Sequence, residues 1–177
     1  MPPTGRRVPV LFAVLIATFA AFAGPTPSNA ARFVPDGAAA TALRLVSARN
    51  FAAAESVLAG TPSPAAPSVL ATTTETALEY ARLLARVEAP GMCDTTWTWR
   101  PARVRAALVA AHADALTLAR ADVAAARIEF RLGDWRGSAK SLRAAIARMD
   151  ATGVREPLLR YEAQLALVEA TVVEGLD

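Results

Sequence analysis

The chain has 177 residues, of which 54% are hydrophobic and 20% are charged, and its formal net charge is +3. This length is enough for one domain with its own core. Its single cysteine, Cys93, excludes an intramolecular disulfide, and its weak net charge gives no electrostatic reason to expect nucleic-acid binding.

The N-terminal segment has the layout of a secretory signal. Arg6 and Arg7 precede an apolar run over residues 8–24. Small residues then stand at Ser28 and Ala30, the two positions that a signal peptidase reads. We therefore expect cleavage after Ala30.

Cleavage divides the chain into a signal peptide, residues 1–30, and a mature domain, residues 31–177, whose formal charge falls from +3 to +1 with the loss of two arginines. The expected location is the bacterial periplasm or the cell exterior. A retained anchor in the inner membrane is the alternative, because an apolar run of this length is at the short edge of what spans a bilayer. The membrane is a partner only in that case.

The mature segment is rich in alanine and has almost no alternation of β-branched residues, which favours an all-α fold. Because no proline or glycine lies between Pro101 and Gly133, residues 101–132 could also run as one long bent helix. We expect helices over 37–49, 51–60, 73–89, 101–116, 117–132, 136–150 and 157–174.

Spacing along the chain predicts internal repeats. Gly91, Gly133 and Gly175 recur with a period of about 42 residues, each after a predicted helix, and one further step back reaches Arg49. Side-chain identity between the repeats is thin.

The segment 130–146 has the pattern of a helical hairpin: an apolar helix end, the break Gly133-Asp134, the aromatic Trp135 and a second amphipathic helix. It resembles a tetratricopeptide repeat. In that family, small and large apolar residues occupy fixed positions where the two helices of a hairpin pack. Residues of two predicted hairpins, 37–60 and 117–152, match these positions, and Phe51 of the first corresponds to Trp135 of the second. The repeat-packing residues are Ala42, Phe51, Ala54, Leu58, Ala126, Gly133, Trp135, Ser138, Leu142 and Ala145.

The resemblance implies a short right-handed solenoid of three to four hairpins that binds a protein or peptide and is not an enzyme. The period read from the glycines is longer than the family's period of about 34 residues. The last predicted helix, 157–174, is expected to cap the stack. The alternatives are a self-associating bundle, which would form a homo-oligomer, and a membrane-anchored helical assembly factor, if the N-terminal segment is retained.

Two features are candidates for partner binding. Trp97 and Trp99 alternate beside Arg100 in a loop, and aromatic residues with arginine are typical of interface hot spots. The second feature is a basic face on the helix 136–150, formed by Arg136, Lys140 and Arg143 at helical spacing. Each feature also has a simpler explanation: the tryptophans could only pack within the loop, and the basic face could only be solvated.

Candidate chemistry is sparse. His112 is the only histidine, and Asp114 two residues later does not share its helix face, so a small hydrolase is the least favoured alternative. No set of residues has the spacing of a metal site, and no cofactor is expected. Cys93 has no neighbour that would activate its thiol, although it could form an intermolecular disulfide.

Overall fold

The computed structural model describes residues 33–63, 70, 72–89 and 93–175. This part of the chain is all-α, with seven α-helices, a short 3-10 helix over Thr95–Thr98 and no strand. The predicted signal segment, its cleavage site and Gly91 lie outside the described residues. The helices are α1 (Gly37–Ser47), α2 (Phe51–Ala59), α3 (Thr73–Glu88), α4 (Arg100–Ala110), α5 (Ala115–Arg131), α6 (Trp135–Thr152) and α7 (Pro157–Glu174).

Short polar residues start most of these helices. Asn50, Asp114 and Asp134 each accept a hydrogen bond from a backbone N–H group in the first turn of α2, α5 and α6. Thr72 forms a reciprocal capping box with Glu75 at the start of α3. These caps satisfy N–H groups that have no partner inside the helix, which fixes where each helix begins.

Four helices end in the same way, with one residue in the left-handed conformation. These residues are Arg49, His112, Gly133 and Gly153, at φ values of 57°, 53°, 87° and 68°. In each turn the N–H groups of this residue and of the next donate to carbonyls of the preceding helix. The pattern is a Schellman motif, which reverses the chain within a few residues.

The long-helix alternative for residues 101–132 is wrong, because the chain breaks between α4 and α5. His112 is left-handed, and its N–H donates to the Val109 carbonyl, while the N–H of Ala113 donates to the Leu108 carbonyl. Asp114 then caps α5. Histidine and aspartate tolerate such positions, so a helix can end there without glycine or proline.

The helices pack in two series. The odd-numbered helices contact one another in succession, α1 with α3, α3 with α5 and α5 with α7. Each of the helices α2, α4 and α6 packs between the two odd-numbered helices that flank it in sequence. Helices α3, α5 and α7 begin at residues 73, 115 and 157, with the same spacing as the three glycines, whereas the step from the start of α1 at residue 37 to that of α3 is shorter.

Small residues lie where the helices cross. Ala126 of α5 and Ala145 of α6 are buried with Leu142 in a cluster that also includes Ala163 of α7. Ser138 is fully buried in the same hairpin. In the first hairpin, Ala42 and Leu58 form a cluster with two alanines of α3, and Ala54 is buried beside it. Small side chains let the helix backbones approach closely.

The remaining predicted repeat-packing residues are less enclosed. Phe51 and Trp135 are half-buried at the starts of α2 and α6, and Gly133 is exposed in a turn that requires positive φ. None of the helices in the described ranges is both long enough and apolar enough to cross a membrane.

Candidate functional site

A buried carboxylate joins α3 to α4. The side chain of Glu79 in α3 is 1% exposed, and its oxygens accept from Arg82 at 2.7 Å, from Arg103 at 3.0 Å and from Arg100 at 3.3 Å. Arg82 also donates to three backbone carbonyls, one in the last turn of α2, at residue 58, and two just after the helix, at residues 61 and 62. The group therefore ties the end of α2, α3 and α4 together, and we call it the Glu79 cluster.

The two loop tryptophans belong to this cluster. The Arg100 guanidinium lies 5.3 Å from the ring centre of Trp97 and 5.4 Å from that of Trp99, and Arg103 lies 4.5 Å from the Trp99 ring. Both rings are half-buried. Cation–π contact of this kind holds the guanidinium groups towards Glu79.

The loop that carries the tryptophans is itself anchored. Asp94 accepts hydrogen bonds from the backbone N–H of Thr96 at 2.8 Å and from its hydroxyl at 2.5 Å. These bonds hold the pKa of the Asp94 carboxyl below its ordinary value. The charged carboxylate thus starts the 3-10 helix over Thr95–Thr98.

The structure places Arg100 inside the protein, since its side chain is 15% exposed and paired with Glu79. Trp97 and Trp99 are half-buried, so each of their rings keeps an accessible surface at this end of α4. Contact of these three residues with a partner stays a prediction.

A second buried carboxylate joins α4, α5 and α6. The side chain of Asp122 is 5% exposed and accepts from Arg105 Nε at 2.6 Å and from Arg148 Nε at 2.9 Å. The arginines extend from neighbouring helices on either side of α5. The pair of Arg148 with Asp122 therefore links α6 to α5.

The basic face of α6 is exposed. Lys140 and Arg143 have no ion pair among the described residues, while Arg136 pairs with Glu174 at 3.1 Å and remains 86% exposed. Because α6 packs on α5 and α7, whereas the 3-10 helix packs on α4, the structure does not bring this face and the tryptophan loop together.

A groove with a largely apolar lining lies between the odd-numbered helices, and we call it the odd-helix groove. It has two adjoining parts, with cavity volumes of about 210 and 270 Å³, that share Arg49, Glu88, Arg127, Leu158 and Glu162. The apolar lining comes from all four odd-numbered helices and the start of α2, and includes Val46, Phe51, Leu84, Val87, Val123, Leu158, Tyr161 and Leu165.

Charges of both signs border this groove. Arg49, in the turn after α1, donates to Glu162 of α7 at 3.3 Å across the groove, and Arg127 of α5 pairs with Glu88 of α3. Arg120 and Glu169 are exposed and have no ion pair within the described part of the chain. Such a surface can bind both apolar and charged side chains.

Sequence reasoning missed the groove. Its residues come from five helices and the turn after α1, and no local motif marks them. One signal was present, because the spacing that was read from the glycines also relates groove positions in successive odd-numbered helices. At this spacing of 42 residues, three groove residues of α5 correspond to three groove residues of α7: Arg120 to Glu162, Val123 to Leu165 and Arg127 to Glu169.

The candidate chemical residues lie apart from this groove. His112 is exposed in the turn between α4 and α5, and Cys93 is half-buried against a core cluster formed mainly by α3, α4 and α5. Asp114 uses a carboxylate oxygen to cap α5. Across the described ranges, no three His, Cys, Asp or Glu side chains are grouped so that they could hold a metal ion.

Known proteins give no comparison for this surface. No family model, no curated protein and no solved structure matches the chain.

Proposed function

We propose that this chain is a non-enzymatic interaction module of the bacterial envelope or exterior, and that it binds a peptide or protein segment in the odd-helix groove. The observation that carries the proposal is the groove itself: side chains far apart in sequence line one surface with an apolar floor and exposed charges of both signs. Concave, mostly apolar surfaces with a few polar groups are the usual place for a ligand.

The proposed fold is a short right-handed solenoid of hairpins similar to tetratricopeptide repeats. Its support is the succession of contacts among odd-numbered helices, with α2, α4 and α6 between them, and the equal spacing of α3, α5 and α7 along the sequence. Stacked hairpins of this kind form extended inner surfaces on which partners bind. In this arrangement the odd-helix groove is the inner surface.

The proposed location outside the cytoplasm rests on the sequence alone. Arg6 and Arg7, the apolar run and the small residues before position 31 direct export on this proposal. An interaction module of the envelope requires no cofactor, and its affinity comes from apolar burial and electrostatic complementarity.

The test begins with a random-peptide display library selected on the purified protein. Dissociation constants of recovered peptides are then measured by calorimetry for the parent, for Arg120→Glu in the groove and for Arg143→Glu on the basic face of α6. Both arginines are exposed and have no ion pair among the described residues, so both variants should fold. We expect Arg120→Glu to change affinity by about tenfold or more and Arg143→Glu to change it less than about twofold.

The opposite pattern would place the binding site on the face that the sequence predicted, with Arg136, Lys140 and Arg143. Equal affinities for all three proteins would remove the groove from the proposal. Melting temperatures of both variants provide the folding control.

A further inference from the structure

The terminal helix α7 exposes an apolar stripe. Seven large hydrophobic side chains are exposed among the described residues, and five of them lie on this one helix, between 47% and 62% exposed. They are Leu158, Tyr161, Leu165, Val168 and Val172. Single exposed hydrophobic residues are normal on a protein surface, whereas a contiguous apolar patch is typical of an interaction surface. The five residues form such a patch because they share one face of the helix.

The spacing of the stripe is that of a coiled-coil seam. Its members are separated by alternating steps of three and four residues, which keeps them on one side of the helix over about 21 Å. Leu159, Ala163, Ala166 and Ala170 occupy the other side of α7 and are buried. The helix is thus apolar on two faces, and only one of them is covered by the described part of the chain.

The residues beside the seam favour a partner helix with basic residues. Glu162 and Glu169 border it on one side, and the uncharged Gln164 and Thr171 border it on the other. Glu169 has no ion pair among the described residues, and Glu162 shares a partly exposed pair with Arg49. Residues in these flanking positions form the interhelical ion pairs that select a partner helix.

A second copy of α7 does not match these flanks. It would present the same glutamates, glutamine and threonine, and none of these residues is a cation. A partner with lysine or arginine beside its own apolar seam would pair with Glu162 and Glu169. The acidic flank also opposes an anionic lipid surface.

We infer that α7 docks an amphipathic helix of a partner protein, with an apolar heptad seam and basic residues on its flanks. This inference rests on the proposed function and names its partner class. The helix would enter the odd-helix groove at Leu158, Tyr161 and Leu165, which line it, and extend beyond it to Val168 and Val172.

The test uses synthetic helical peptides about three heptads long, with leucine at the seam and either lysine or glutamate at the flanks. A peptide with the lysine set in scrambled order is the control for nonspecific adsorption. Binding to the full-length protein is followed by fluorescence anisotropy. We expect the lysine peptide to bind at least about tenfold more tightly than the glutamate peptide and the scrambled peptide.

Protein variants locate the site. Tyr161→Ser combined with Val168→Ser should weaken the lysine peptide by about tenfold or more, while Val109→Ser, at a similarly exposed valine of α4, should leave it unchanged. Glu169→Lys should weaken the lysine peptide and strengthen the glutamate peptide, whereas Glu55→Lys, exposed on α2, should do neither.

Equal binding of the lysine and glutamate peptides, or no response to Glu169→Lys, would overturn the inference. Sedimentation velocity tests the other occupant: a parent dimer that becomes monomeric in the Tyr161→Ser and Val168→Ser variant would make α7 a self-interface and also overturn it. If display-selected peptides still respond to Arg120→Glu in either case, the proposed function stands without this partner class.

Discussion

At the scale of single residues, His112 has a structural explanation. It is the left-handed residue that ends α4, with φ of 53°, and its ring is not needed for that role. Left-handed backbone costs a residue with a Cβ about 1 to 2 kcal/mol, whereas glycine adopts it freely.

His112→Gly should therefore raise the free energy of unfolding by about 0.5 to 1 kcal/mol, after the entropy that glycine adds to the unfolded chain. His112→Val should lower it, because a β-branched residue is strained there. Urea denaturation measures both. A destabilised glycine variant would mean that the imidazole makes a stabilising contact, and loss of a hydrolytic activity in this variant would support the hydrolase alternative.

Glu79 shows how a single buried charge can hold three helical segments together. Its carboxylate is 1% exposed and is the shared acceptor of three guanidinium groups. If the carboxylate is removed, the positive charges of the arginines stay in a poorly solvated place without a negative charge to balance them, which destabilises the fold.

Glu79→Ala should lower the free energy of unfolding by about 3 to 5 kcal/mol. Glu55→Ala, at an exposed position of α2, should change it by less than about 0.5 kcal/mol. Thermal and urea melts check the difference. Equal stability of the two variants would show that solvent replaces the carboxylate beside the arginines.

At the scale of helices, the crossing of α5, α6 and α7 depends on small side chains. Leu142 is fully buried, and Ala145 is 1% exposed in the same cluster. The resemblance to tetratricopeptide repeats predicted both residues as repeat-packing positions, because Leu142 matches a large apolar position of that pattern and Ala145 matches a small one.

Leu142→Ala should lower the free energy of unfolding by roughly 2 to 5 kcal/mol through lost burial and an unfilled cavity. Ala145→Arg should be at least as severe, because a long charged side chain does not fit a close helix crossing. Ala147→Arg, on the exposed face of the same helix, is the matched control. Melting of Ala145→Arg like that of its control would mean that the packing register of α6 is wrong.

At the scale of the whole molecule, the core begins close to the predicted cleavage site. Phe33 is 8% exposed and lies edge-on to Tyr80 of α3, with 6.4 Å between ring centres. Cleavage after Ala30 would keep this aromatic residue with the domain. The predicted cleavage site and the observed core are thus compatible.

The exported protein should therefore begin at Ala31, and its melting temperature should equal that of the full-length chain. Phe33→Ala should lower stability by roughly 3 kcal/mol, while Val34→Ala, at a residue that is 65% exposed, should have little effect. Intact mass and thermal melts measure these outcomes. A membrane-bound product that keeps residues 1–30 would support the anchor alternative instead.

The sequence by itself determined the helices. The spacing of apolar residues predicted seven helices. Capping residues such as Asn50, Thr72 and Asp134 act within a turn or two of the helix start, so their effect can be read from neighbouring positions in the sequence. The end of α4 was missed because a left-handed histidine leaves no sequence signal comparable to that of glycine.

Tertiary structure alone decided which surfaces are open. Arg100 was a candidate for partner contact, yet it pairs with Glu79, twenty-one residues away. Arg49 and Glu162 meet across the odd-helix groove although 113 positions separate them. Such contacts depend on how the hairpins stack on one another. The free energy of stacking is the sum of many small apolar contacts between distant residues, so no short sequence motif predicts it.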